Sequence, residues 1–138
     1  MKKKYLSIFI FFGLLVGYGI YYQQKSINIL QKYGKYTIAT IERIEPSSGR
    51  GCSYKVYVSF SYMNRKQEAF YCITFKLDKS YIGRRLFYEF APNYIGRTSS
   101  INYDCSVPDS IQDAPSEGWS VEWMSTHFPT CMNPTPYP

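Results

Sequence analysis

The order of apolar and polar positions divides the chain into five parts. After a four-residue flank, residues 1–4, comes an unbroken run without charge, YLSIFIFFGLLVGYGIYY, over residues 5–22. A bilayer-crossing helix needs roughly 17–25 mainly apolar residues, so this run predicts a transmembrane helix. Over residues 23–34 the apolar positions Ile27, Ile29, Leu30 and Tyr33 recur at helical spacing. They predict a juxtamembrane helical stub that Gly34 can end.

From Lys35 the period drops to two. Residues 35–45 (KYTIATIERIE) place Tyr36, Ile38, Thr40 and Glu42 on one side and Thr37, Ala39, Ile41 and Arg43 on the other. The loop PSSGRG follows. Residues 53–62 (SYKVYVSFSY) set Tyr54, Val56, Val58, Phe60 and Tyr62 against Lys55, Tyr57, Ser59 and Ser61. That is the alternation of an antiparallel strand with one face on a core. A polar turn over residues 63–66 returns the chain through residues 67–75 as a hairpin. A two-residue turn at Asn64-Arg65 would set Val56 opposite Ile73 and Val58 opposite Tyr71, and would leave Cys52 too far along to reach Cys72. A charged connection over residues 76–85 leads to strands at 86–90 and 99–104. The expected fold is an N-terminal transmembrane helix followed by a small mainly-β domain, residues 35–105. Its five or so antiparallel strands would form a meander curling into a barrel or half-barrel. Residues 106–138 hold Pro108, Pro115, Pro129, Pro134, Pro136 and Pro138 and read as a Pro-rich acidic tail, extended or disordered from His127 on.

Composition sharpens this picture in two places. Hydrophobic residues make up 45% of the chain, which excludes wholesale disorder, and 15 Tyr and 9 Phe favour pleated structure. Charge is segregated: residues 23–97 carry thirteen basic and five acidic side chains, whereas residues 98–138 carry five acids and no Lys or Arg. Lys2, Lys3 and Lys4 precede the apolar run, and Lys-rich flanks stay in the cytoplasm. The expected location is therefore the cytoplasmic (inner) membrane, single-pass, with the N-terminus inside and the C-terminal domain outside. A signal peptide with Leu6–Val16 as its core is the alternative, giving a periplasmic or secreted β domain. Either topology removes the domain from nucleic acid.

The candidate chemistry is thin. Cys52, Cys72, Cys105 and Cys131 lie in no C-x-x-C spacing. Outside the cytoplasm they read as disulfide cysteines, with three full pairings open. His127, the single histidine, lies four residues before Cys131 in a segment that promises no rigid scaffold for nucleophilic catalysis. Glu42 and Glu45 read as a solvated strand edge. No catalytic, cofactor-binding or metal-ligating set is expected, and the chain reads as a non-enzyme without a cofactor. The basic and aromatic residues Lys76, Lys79, Tyr81, Arg84, Arg85 and Tyr88 form the candidate interaction patch, suited to anionic lipid, glycan or an acidic envelope partner. Trp119 and Trp123 read as staples of the tail onto the sheet.

Some stretches also resemble a known group. They are the Lys-rich start with its single span, residues 34–41 (GKYTIATI), residues 82–93 (IGRRLFYEFAPN), and Val107-Pro108-Asp109-Ser110-Ile111 with Ala114-Pro115 and Gly118-Trp119. Together they resemble small single-span, membrane-anchored β-domain proteins of Bacteroidetes-type bacteria, a domain of unknown function. The resemblance implies an envelope location and a small β domain, and implies no activity. The expected function is a membrane-anchored envelope protein acting as a binding or interaction module. An immunity-type protein that neutralises a secreted toxin is the alternative from another class.

Overall fold

The computed structural model describes residues 2–94 and 99–132. Met1, residues 95–98 and residues 133–138 lie outside them, so the expected tail is described only as far as Met132. The chain is a long N-terminal apolar helix followed by a small antiparallel β domain.

Helix α1, Lys2–Tyr33, is continuous, so the expected span and stub are one element. Its stretch Tyr5–Tyr33 has a mean hydropathy of 1.7 and is long and apolar enough to cross a membrane, and its most apolar part is not buried in the protein. A signal sequence would share these properties. The helix ends where the Gly34 N–H donates to the Leu30 carbonyl at 2.8 Å. A Cβ on residue 34 would collide with that same carbonyl, so the tight exit requires glycine.

Five strands follow: β1 (Lys35–Pro46), β2 (Tyr54–Tyr62), β3 (Arg65–Ile73), β4 (Arg85–Phe90) and β5 (Ser99–Ser106). The sheet order is β3-β2-β1-β4-β5, and all neighbours are antiparallel. The first three strands meander as expected. β4 then crosses to the other side of β1, so the longest strand becomes the centre of the sheet. A two-residue strand β6, Trp119–Ser120, pairs with Lys35 and Tyr36 at the start of β1.

The hairpin register differs from the expected one. Tyr62 pairs with Arg65, so the turn is Met63-Asn64, with φ of 51° and 59°. Two successive positive φ angles give the primed turn that matches strand twist. The Met63 N–H also donates to the Ser116 carbonyl at 2.7 Å, which holds the turn from outside the hairpin. Val56 therefore faces Tyr71 and Val58 faces Ala69. A displacement of two residues leaves every side chain on its expected face. It does change the partners. Lys55 now lies opposite Cys72, and Cys52 reaches Cys72 in a disulfide with Cα atoms 4.9 Å apart. In β1 a bulge between Ile41 and Arg43 absorbs Glu42. The bulge puts Ile44 on the same face as Ala39 and Ile41, beside the same core.

Both faces of the sheet are covered. The inner face buries Ala39, Ile41, Val56, Val58, Phe60, Leu86, Tyr88 and Phe90. The sheet curls around them until its two edges touch: the Tyr71 hydroxyl on β3 bonds to Tyr88 at 2.8 Å and to Ser99 on β5. Phe75, just past β3, meets Tyr103 on β5 with ring centroids 5.9 Å apart. These edge contacts are made by side chains, and no backbone ladder joins β3 to β5. The fold is thus an open, strongly curled sheet and not a closed barrel.

The outer face buries Tyr36 and Phe87 under Val107, Trp119, Met124 and Cys131. This corrects the expectation for the C-terminal segment, which is packed through Met132. Its turns lead into β6 and then helix α2, Val121–His127, capped by the Ser120 hydroxyl accepting from the Trp123 N–H at 3.1 Å. Pro129 opens a short 3-10 turn, where its missing N–H costs nothing. A second disulfide, Cys105–Cys131, with Cα atoms 5.5 Å apart, ties the end of this segment to β5. Trp119 meets Phe87 edge-on at 5.9 Å, in the stapling role expected of it.

Gly118 has φ +74°, and a Cβ there would lie 2.7 Å from the Tyr36 carbonyl oxygen. Gly118→Ala is therefore expected to destabilise the domain by more than about 1 kcal/mol and to loosen Trp119. Chemical denaturation followed by tryptophan fluorescence checks this; an unchanged midpoint would mean that β6 does not sit tightly on β1.

Candidate docking surface at the helix-distal end

β1 leaves α1 and runs for 12 residues, a reach of about 40 Å at about 3.3 Å per residue. Two loops lie beyond its midpoint: residues 47–53 at its far end, and residues 74–84, which run from there back to Ile41. The first is closed by Ser47 N–H to Ser53 carbonyl (2.9 Å), Ser53 N–H to Ile73 carbonyl (3.0 Å) and the Cys52–Cys72 disulfide. The second is stitched to β1 by Gly83 N–H to Ile41 carbonyl (2.8 Å) and Ile41 N–H to Arg84 carbonyl (3.1 Å). Leu77 from this loop is buried in the inner core, and Tyr81 packs against it. Asp78 stiffens the loop further by accepting the Ser80 N–H at 2.7 Å. That bond holds its carboxyl below the ordinary carboxylate range.

This end concentrates cations on aromatic rings. The Arg43 guanidinium lies 3.7 Å from the Tyr57 ring centroid, Arg84 lies 4.1 Å from Tyr81, and the Lys55 ammonium lies 5.6 Å from Phe70. Tyr57 and Phe70 pair across the strands with centroids 5.9 Å apart. Phe70 is 58% exposed, Phe75 51% and Ile82 45%. Residues 43–57 and 70–84 together carry six basic side chains and two acidic ones. The two acids are already engaged: Glu45 pairs with Arg43 at 2.9 Å, and Asp78 caps its own loop.

The six residues of the expected patch do not share one surface. Lys76, Lys79, Tyr81 and Arg84 belong to the helix-distal end. Tyr88 is fully buried on the inner face, bonded to Tyr71. Arg85 turns to the outer face, where its Nη2 donates to the Ile111 carbonyl at 2.6 Å and to the Gln112 carbonyl. Loop residue Arg84 and strand residue Arg85 part because β4 begins between them. The residues missed are Arg43, Lys55, Tyr57 and Phe70. Alternation places Lys55 and Tyr57 on the polar face, but Arg43 reaches Tyr57 only through the bulge, and Phe70 reaches it only in the observed register.

The other candidates are accounted for. All four cysteines are in the two disulfides. Cys131 therefore has no thiolate, and His127 stacks on Trp123 at 4.2 Å with its Nδ1 2.9 Å from the Trp123 carbonyl. Glu42 accepts the Ser59 hydroxyl and lies 3.8 Å from Lys66, away from the Glu45–Arg43 pair. Among the described residues no cluster of His, Cys, Asp or Glu could hold a metal. A cavity of about 500 Å³ opens on the outer face, lined by Thr40, Ser59, Ser61, Lys66, Arg85 and Asp113.

The helix-proximal end differs in character. Tyr36 and Glu89 lie opposite each other on β1 and β4. Burial raises the Glu89 carboxyl above its ordinary pKa, and the bond from Tyr36 only partly offsets that. Burial likewise raises the Tyr36 hydroxyl.

The fold and this surface define a class: a small, doubly disulfide-linked antiparallel β domain carried on a long apolar helix, with a cation–aromatic end opposite the helix. Comparison with family models, with curated proteins and with solved structures finds no match.

A carboxyl whose pKa is higher in the folded state favours folding while protonated. Its contribution is fully present below the unfolded pKa and is lost as pH rises through the folded one. The native chain is accordingly expected to lose stability as pH climbs above 4.5, the ordinary value for Glu89, and Glu89→Gln to remove that loss. Denaturation midpoints measured across mildly acid to neutral pH check it; parallel curves for the two proteins would contradict a buried carboxylate.

Proposed function

We propose that this chain is a single-span envelope protein, anchored by α1 in the cytoplasmic membrane with its β domain outside, and that it is a non-enzymatic binding module. The observation that carries the reading is the polarity of the domain. Its three cation–π pairs and its exposed Phe70, Phe75 and Ile82 gather at the end opposite the helix. Large exposed apolar side chains grouped with cations mark interaction sites. The partner is anionic, because the two acids of this end are spoken for and the cations outnumber them. Lys2–Lys4 before the span support an inward N-terminus. Two disulfides suit an oxidising compartment outside the cytoplasm. The resemblance to anchored envelope proteins of Bacteroidetes-type bacteria agrees with this setting.

The test uses the full chain in nanodiscs of neutral phosphatidylcholine with soluble polyglutamate as an anionic probe. Binding is expected to weaken with added salt. It should fall on the order of a hundredfold in the triple variant Lys76→Gln/Lys79→Gln/Arg84→Gln, at about 1 kcal/mol per cation. Equal binding by the native chain and the triple variant would place any anion-binding surface elsewhere.

A further inference from the structure

We infer that the helix-distal end docks onto an anionic lipid bilayer. The inference rests on the anchored-module reading and names its partner.

Residues 5–22 span about 27 Å at about 1.5 Å per residue, close to the hydrocarbon thickness. The rest of α1, to Tyr33, adds about 16 Å of helix, and β1 adds about 40 Å more. The loop at residues 47–53 follows the far end of β1, and the loop at residues 74–84 runs from there back to Ile41.

Chemistry selects a bilayer over an acidic protein. The second loop projects Phe75 and Ile82, both about half exposed, among Lys76, Lys79 and Arg84. Such a surface needs anionic groups with an apolar layer directly behind them. A bilayer offers phosphates at its surface and acyl chains a few ångströms below. The loop is braced for this by buried Leu77, by the Asp78 cap and by its bonds to Ile41. Ile82 is presented on this braced loop, and Phe75 keeps about half of its surface free beside Tyr103. The cavity of about 500 Å³ lies on the outer face beside residues 112–116, not at these loops.

The full chain in phosphatidylcholine nanodiscs is mixed with sedimenting vesicles, either of phosphatidylcholine alone or with added phosphatidylglycerol. Polyglutamate binding is measured in parallel. Co-sedimentation is expected only with phosphatidylglycerol, and at least tenfold weaker in Phe75→Ser/Ile82→Ser. Phe75→Ser also removes the Phe75–Tyr103 contact, so Ile82→Ser alone is measured beside the double variant. The single variant is expected to weaken co-sedimentation with unchanged thermal unfolding, and polyglutamate binding should be retained in both. Co-sedimentation unaffected by the double variant would overturn apolar insertion and the bilayer assignment with it. Polyglutamate binding without co-sedimentation would overturn the bilayer and leave the anion-binding module standing, with an acidic protein as its partner. Neither kind of binding would overturn both.

Discussion

The central constraint on this fold is that β1 is apolar on both faces. Ala39 and Ile41 point into the inner core, while Tyr36 and Ile38 pack into the outer one. A strand of that kind cannot sit at an edge or leave a face to water without exposing large side chains. It is satisfied here by β2 and β4 along its two sides, by β6 at its start, and by separate coverings for each face. The inner face is covered by the curl of the sheet itself, the outer by residues 107–132. Each covering is tied by a disulfide near its end, Cys52–Cys72 at the hairpin base and Cys105–Cys131 at the close of the C-terminal segment. A core this small gains much from such ties, which limit the freedom of the unfolded chain.

Most of the sheet was legible because period-two alternation is a local signal. The strand around Val56, Val58 and Phe60, its hairpin partner and the anchor-like run of residues 5–22 all announce themselves within short windows. What was hidden depends on contacts between distant residues. The turn closes at Met63-Asn64, held by Ser116 some fifty residues later, and no local rule favours Met at a positive φ. The C-terminal segment reads as a tail because its prolines are conspicuous. Yet Trp119, Met124 and Cys131 are spaced to cover one patch around Phe87, and that patch exists only once β1 and β4 have paired. The candidate site was half legible for the same reason. The loop cations were visible as a cluster, whereas Arg43 over Tyr57 required the bulge at Glu42.

The two ends of the domain carry different physics. Near the helix, burial dominates: Glu89 and Tyr36 are desolvated, Gly34 makes a close exit, and β6 closes the sheet. At the far end the loops are braced internally but present cations, rings and apolar tips outward. A domain built this way separates the end joined to the helix from the end where cations and rings are exposed. The separation follows from β1, which begins at the helix and ends among the cations.

The account therefore depends on an oxidised domain in which both coverings are locked, displayed outside the cytoplasm. The most direct measurement is a thiol count on the full chain extracted from membranes, by alkylation and intact mass, with and without reductant. The account predicts no alkylated cysteine before reduction and all four, Cys52, Cys72, Cys105 and Cys131, after it. Four reactive thiols before reduction would contradict both the disulfide-tied fold and the outward display of the domain.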